Sequence, residues 1–146
     1  MGSVNEEQHS WLDKIETHSR NLATFVNDFL DLAKIESGHI ELAKEEVDLD
    51  RLIRNSLDNY LPLTRDKKIC VTRQVEPALP RIHADPRRLD QVFSNLLSNA
   101  IKFTGEGGKI EVGAGRENGT EVRLWVKNDG AGISATEIDT LFDMYR

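Results

Sequence analysis

The chain has 146 residues, of which 38% are hydrophobic and 30% charged, and its formal net charge is −6. That length accommodates one domain, or one small domain with a helical arm, and the composition excludes general disorder. The acidic balance argues against a nucleic-acid partner, because phosphate backbones are bound by basic faces.

The single cysteine, Cys70, excludes an internal disulfide framework and fits a reducing compartment. It lies between Ile69 and Val71, and nothing nearby marks a nucleophile site. No stretch approaches the length of a membrane span and no signal peptide is visible, so a cytoplasmic location is expected, either free or as the cytoplasmic part of a membrane sensor. Met1-Gly2-Ser3 reads as a vector-derived remnant. Asn118-Gly119-Thr120 matches a glycosylation pattern but is more simply a turn.

From about Glu6 to Ser37 there is neither proline nor internal glycine. Apolar residues recur at Ile15, Leu22, Val26, Phe29 and Ala33, and a second stripe runs through Trp11, Phe25 and Leu32. The spacing predicts a long amphipathic helix, roughly 45 Å at ~1.5 Å per residue. A lone helix cannot bury two stripes on itself, so self-association or a partner chain is expected there. Gly38 is the natural stop.

Ile40 to Leu49 reads as a strand, and Asp50 to about Lys67 as an amphipathic helix whose last turn Pro62 weakens. Ile69 to Val75 alternates as a strand does. Pro77 and Pro80 mark a loop. Asp85 followed by Pro86 is the cap-then-proline order of a helix start, and that helix runs to about Phe103. A turn at Gly105, Gly107 and Gly108 precedes two antiparallel strands, Lys109 to Arg116 and Glu121 to Lys127, joined at Asn118-Gly119. A glycine-containing loop, Asn128 to Ile133, and a short helix from Ser134 follow.

The helix from Pro86 carries the most information. At ~100° per residue, Asn95, Asn99 and Lys102 fall within about 60° of one another. Leu89, Val92, Phe93, Leu96, Leu97, Ala100 and Phe103 share the neighbouring face and are expected to be buried. An amide carbonyl suits Mg²⁺, which prefers oxygen ligands while bridging phosphates, and a lysine suits a phosphate charge. In an arbitrary helix such a row would be read as a solvated polar stripe.

The run Arg87-Arg88-Leu89-Asp90-Gln91-Val92-Phe93-Ser94-Asn95-Leu96-Leu97-Ser98-Asn99-Ala100-Ile101-Lys102-Phe103-Thr104 resembles the N box of the histidine kinases, members of the ATPase superfamily shared with gyrase, Hsp90 and MutL. The resemblance implies that Asn99 ligates Mg²⁺ and that Asn95 and Lys102 serve the phosphates of ATP or ADP. Asn128-Asp129-Gly130-Ala131-Gly132-Ile133 resembles the family's G1 box, Asp-x-Gly-x-Gly-Ile. Aligned on Gly130, Gly132 and Ile133, the adenine-reading aspartate falls at Asn128, a neutral acceptor whose NH₂ end is wrong for that role. Leu141 to Arg146 resembles the F box at the base of the ATP lid. Val26 to Gly38 resembles the end of the second helix of the dimerisation and phosphotransfer region.

These resemblances imply an α+β fold, with a long bundle-forming helix over 4–38 followed over 39–146 by a two-layer α/β sandwich of the histidine-kinase ATPase type, incomplete at its C-terminal part. The implied function is a piece of a two-component sensor kinase that binds Mg·ATP for transfer to a histidine and onward to a response-regulator receiver domain. No catalytic residue is assigned, because none of His9, His18, His39 and His83 precedes an acidic residue as a phosphoacceptor does. The chain alone is therefore expected not to autophosphorylate. Two alternatives stay open: a degenerate, non-catalytic docking or regulatory module, and one half of a split kinase.

Overall fold

The structure, a computed structural model, describes residues 5–37 and 41–140. The chain divides into two compact units, Met1–Glu41 and Leu42–Arg146.

The first unit is a single helix, α1, Glu6–Glu36. Its start is a reciprocal capping box: Asn5 Oδ1 accepts from the Gln8 amide at 2.8 Å and Gln8 Oε1 from the Asn5 amide at 3.0 Å. Trp11, Ile15, Leu22, Phe25, Val26 and Phe29 are all exposed. Among the described residues of this unit nothing covers the expected seam. The side chain of Leu32, and residues 38–40 with the expected stop at Gly38, lie outside the described residues.

The second unit runs β1 (Glu45–Val47), α2 (Leu49–Asp66), β2 (Cys70–Val75), β3 (Ile82–Ala84), α3 (Pro86–Phe103), β4 (Lys109–Arg116), β5 (Val122–Asn128) and α4 (Ala135–Thr140). A three-stranded sheet has the order β2-β4-β5, with β2 parallel and β5 antiparallel to β4. The alternation of β4 turns Ile110, Val112 and Ala114 inward, where they are buried against Ile53 of α2 and Phe93, Leu97 and Ile101 of α3. Two helices thus cover one face of the sheet, giving the two-layer α/β arrangement. Gly113 is needed on the opposite face. A Cβ there would lie 2.2 Å from the Gln74 carbonyl oxygen and 2.3 Å from the Trp125 ring, which lies across it.

Several boundaries differ from the sequence expectation. Among the described residues of the segment read as a strand over 40–49, only Glu45–Val47 are strand. Asp48 Oδ1 accepts from the Arg51 amide at 3.1 Å, so the helix begins at Leu49, one residue earlier than expected. Pro62 is carried inside α2, which continues to Asp66. The stretch after the prolines contains an unanticipated strand, β3, pairing Glu45↔Ala84, Glu46↔His83 and Val47↔Ile82. Asn128 closes β5, opposite Ile110, instead of opening the loop.

The largest correction concerns α3. Val92, Leu96 and Phe103, expected in the core, are 55%, 46% and 56% exposed, whereas Ile101, not expected there, is buried. With Asn95 at zero and ~100° per residue, Val92, Phe103 and Leu96 lie at about 60°, 80° and 100°. The buried Phe93, Leu97, Ala100 and Ile101 instead centre on about 180°. The sheet takes only that half of the helix, and an apolar strip stays open beside the polar row.

Candidate nucleotide site

The site is organised by α3. Asp85 caps its first turn, accepting from the amides of Arg87 at 3.0 Å and Arg88 at 3.1 Å. Its other oxygen accepts from the Ala43 amide at 3.0 Å, tying the segment before β1 to the helix start. Those contacts, with the Arg88 amide foremost, hold the Asp85 carboxyl below its ordinary pKa.

Along the open side Asn95, Asn99 and Lys102 are all exposed. Among the described residues neither carboxamide is engaged in a hydrogen bond. Lys102 Nζ rests 5.2 Å from the centre of the Phe103 ring. The edge therefore presents two amides and an ammonium next to Val92, Leu96 and Phe103. Among the described residues no group of three or more His, Cys, Asp or Glu could hold a metal ion. A cation here would have to rely on amide oxygens and on the ligand's own oxygens, as Mg²⁺ does when it bridges phosphates.

The glycine loop meets this helix at its C-terminal end. A Cβ on Gly130 would lie 2.1 Å from the Phe103 carbonyl oxygen and 2.8 Å from Asn128 Nδ2, so only glycine lets the loop backbone close onto α3. Asn128, opposite the inward Ile110, belongs to the helix-covered face of the sheet at its exposed end. Asp129 is used differently. Its Oδ1 accepts from the Lys109 amide at 2.8 Å and its own amide donates to the Lys109 carbonyl at 3.1 Å. Gly132 and Ile133 are exposed beyond it, with open space where a Gly132 Cβ would project. Ser134 then forms a capping box with Glu137 at the start of α4: the Ser134 amide donates to Glu137 Oε2 at 2.9 Å.

The structure thus brings together Asn95, Asn99 and Lys102 on one helix edge, and Asn128, Gly130, Gly132 and Ile133 on the strand end and loop that close against it. The F-box stretch, residues 141–146, and His39 lie outside the described residues. Periodicity missed the open apolar strip of α3. It also missed Lys67, whose ammonium reaches the end of that helix. Among the described residues no helix is long and apolar enough to cross a membrane.

The family of histidine kinase-, DNA gyrase B- and HSP90-like ATPases matches residues 84–146, the stretch that contains α3 and the glycine loop. The catalytic domain of histidine kinase ThkA, in a nucleotide-free form, shares the fold with a TM-score of 0.67 and 30% identity, over 72% of this chain and 71% of that one. This chain belongs to the histidine kinase family. ThkA in complex with the response regulator protein TrrA gives a TM-score of 0.74 at 27% identity over 100% of this chain and 42% of that one. Full-length ShkA in complex with AMPPNP gives 0.78 at 32% identity over 93% of this chain and 29% of that one. The cell-division control histidine kinase PdhS of Brucella anthropi is 31% identical over an alignment of 147 positions that covers 100% of this chain. The chain spans 14% of the length of that relative. A histidine-kinase ATPase domain accounts for the fold of the second unit, from the parallel β2–β4 pair with its two covering helices to the glycine loop after β5.

Proposed function

We propose that the Leu42–Arg146 unit binds Mg·ATP or Mg·ADP along the open edge of α3, as the nucleotide-binding part of a sensor histidine kinase. The observation that carries this reading is the row Asn95, Asn99 and Lys102 beside an uncovered apolar strip, closed at one end by the loop that Gly130 seats on Phe103. Asn99 would ligate the metal, Asn95 and Lys102 would serve the phosphates, and Asn128 would read the adenine. The metal would supply charge neutralisation for the transferred phosphoryl group. The protein's contribution to such transfer is mainly positioning and electrostatic stabilisation. Calorimetry with ADP and Mg²⁺ tests the reading; no heat of binding at millimolar nucleotide would remove it.

The binding is expected to be weak, because a neutral amide stands at the adenine position. Asn128→Asp is expected to tighten ADP binding several-fold, since hydrogen bonds to charged groups contribute roughly 1.5–3 kcal/mol against about 1 for neutral ones. The gain should be larger for adenine than for guanine nucleotides, which offer a carbonyl where adenine offers an amine. Asp129→Asn is expected to change little, as an amide oxygen can still accept from the Lys109 amide. Titration of both variants with ADP and GDP checks the register: loss of binding in Asp129→Asn with no gain in Asn128→Asp would place the base reader one residue later.

In the kinase as a whole, the γ-phosphoryl group would pass to a histidine and then to the receiver domain of a response regulator. The arm, residues 4–38, is proposed as the second helix of the dimerisation and phosphotransfer region. Its exposed apolar seam predicts that the chain self-associates, and sedimentation should show a dimer or larger species. A stable monomer would count against that assignment. His9 and His18 are exposed, but each is followed by a serine, so incubation with labelled ATP is expected to leave this chain unlabelled. Acid-labile label on His18 would overturn the reading of the arm.

A further inference from the structure

The two helices that cover the sheet are joined by three polar contacts at one constant offset. Ser56 donates to Asp90 Oδ1 at 2.7 Å, Tyr60 reaches the Ser94 carbonyl at 3.4 Å, and Lys67 Nζ donates to the Ile101 carbonyl at 2.8 Å. Each joins residues 34 positions apart, so α2 and α3 run side by side in the same direction with a fixed register. The last contact differs in kind from the other two. Lys67 Nζ also lies 3.3 Å from the Lys102 carbonyl and 3.4 Å from that of Thr104.

Those oxygens belong to the end of α3. The final carbonyls of a helix have no partner within it, and they form the negative end of its dipole. The backbone of Lys67 is itself anchored, its amide donating to Leu63 at 3.3 Å and its carbonyl accepting from Gly107 at 2.9 Å. A half-buried ammonium held from a rigid corner therefore gathers the loose end of the helix.

That end is also where the nucleotide row sits. Asn99 and Lys102 lie in the last turn and a half of α3, and the Phe103 carbonyl supports Gly130. We propose that Lys67 is a positioning residue for the nucleotide site, an inference that rests on the function proposed above. It holds the last turn of α3 closed, and it cancels the negative helix end that would otherwise face the phosphates beside Lys102.

The test uses Lys67→Met, which keeps the aliphatic stem and removes the charge and donors. Lys67→Gln removes the charge but keeps an NH₂ donor group, should the methionine variant not fold. Ser56→Ala breaks the contact at the far end of the same seam. Two readouts are taken where each protein is folded: the Kd for Mg·ADP, and amide hydrogen exchange across α3. Lys67→Met is expected to weaken Mg·ADP binding roughly tenfold, the loss for a hydrogen-bonded charge, and Lys67→Arg to restore most of it. Exchange should quicken at Ile101 to Thr104 and stay unchanged near Val92. Ser56→Ala is expected to lower the melting temperature while leaving Kd within twofold.

Wild-type affinity in Lys67→Met, or in Lys67→Gln where only that variant folds, would overturn the proposal. So would faster exchange spread evenly over the unit. If the wild type binds no Mg·ADP, the nucleotide reading falls by itself, and exchange alone decides whether Lys67 holds the end of α3.

Discussion

Gly130→Ala is expected to lower the melting temperature by about 10 °C and to remove measurable ADP binding. The added Cβ would stand 2.1 Å from the Phe103 carbonyl oxygen and 2.7 Å from its carbon. Both are backbone atoms at the end of a helix, so no rotamer change relieves the clash. Either the loop lifts off α3 or the last turn opens, and forced overpacking of this sort costs roughly 1–3 kcal/mol. The loop joins Asn128 to Ile133, so lifting it separates the adenine-reading position from the phosphate row on α3. Gly132→Ala is the contrasting variant. Nothing lies within 4 Å of its Cβ position, so stability should hold, and any loss of binding there would report contact with the ligand itself. Thermal scanning and calorimetry on both variants separate the two effects. A Gly130→Ala protein with wild-type melting and wild-type affinity would show that the loop does not need its seat on Phe103.

Where the sequence was legible, a local signal matched the tertiary demand. Asp85 and Pro86 announced the start of α3 because capping is settled by neighbours in sequence. The strands β4 and β5 showed through alternation and the turn at Asn118-Gly119, where Gly119 adopts a φ of +73°. The strand β3 did not, since its three residues, Ile82–Ala84, are too few for a period to register. The site was legible as a row of residue types, but not as a surface. Periodicity placed Asn95, Asn99 and Lys102 together and then assigned Val92, Leu96 and Phe103 to the core, because a helix pattern records which positions are apolar and not which of them meet a neighbour. Only the sheet's position shows that α3 is buried around Phe93 and Leu97 and open around Phe103. Lys67 was illegible for a related reason: its partners are backbone carbonyls 34 or more positions away, and backbone atoms leave no trace in residue identity.

Asn99→Ala is expected to abolish the Mg²⁺ dependence of nucleotide binding and to reduce affinity in Mg²⁺ by at least roughly tenfold. Removing even an outer partner of a bound metal costs about 10–100-fold in metal affinity, and this position is assigned to the metal itself. The fold should not suffer. Asn99 is exposed and makes no side-chain hydrogen bond among the described residues, and alanine is the better helix former. Surface substitutions of this kind usually stay within about 0.5 kcal/mol. The measurement is a pair of ADP titrations, one with Mg²⁺ and one with a chelator. Wild type should bind more weakly with the chelator, and Asn99→Ala should bind equally weakly in both. The equality is the informative outcome, because a variant that had merely lost a contact to phosphate would weaken in both conditions and keep the gap between them. The gap surviving in Asn99→Ala and vanishing in Asn95→Ala would move the metal one turn back along α3, leaving the shared edge and the nucleotide reading in place. Asn99→Ala binding ADP as wild type does in Mg²⁺ would remove the metal assignment from this residue altogether.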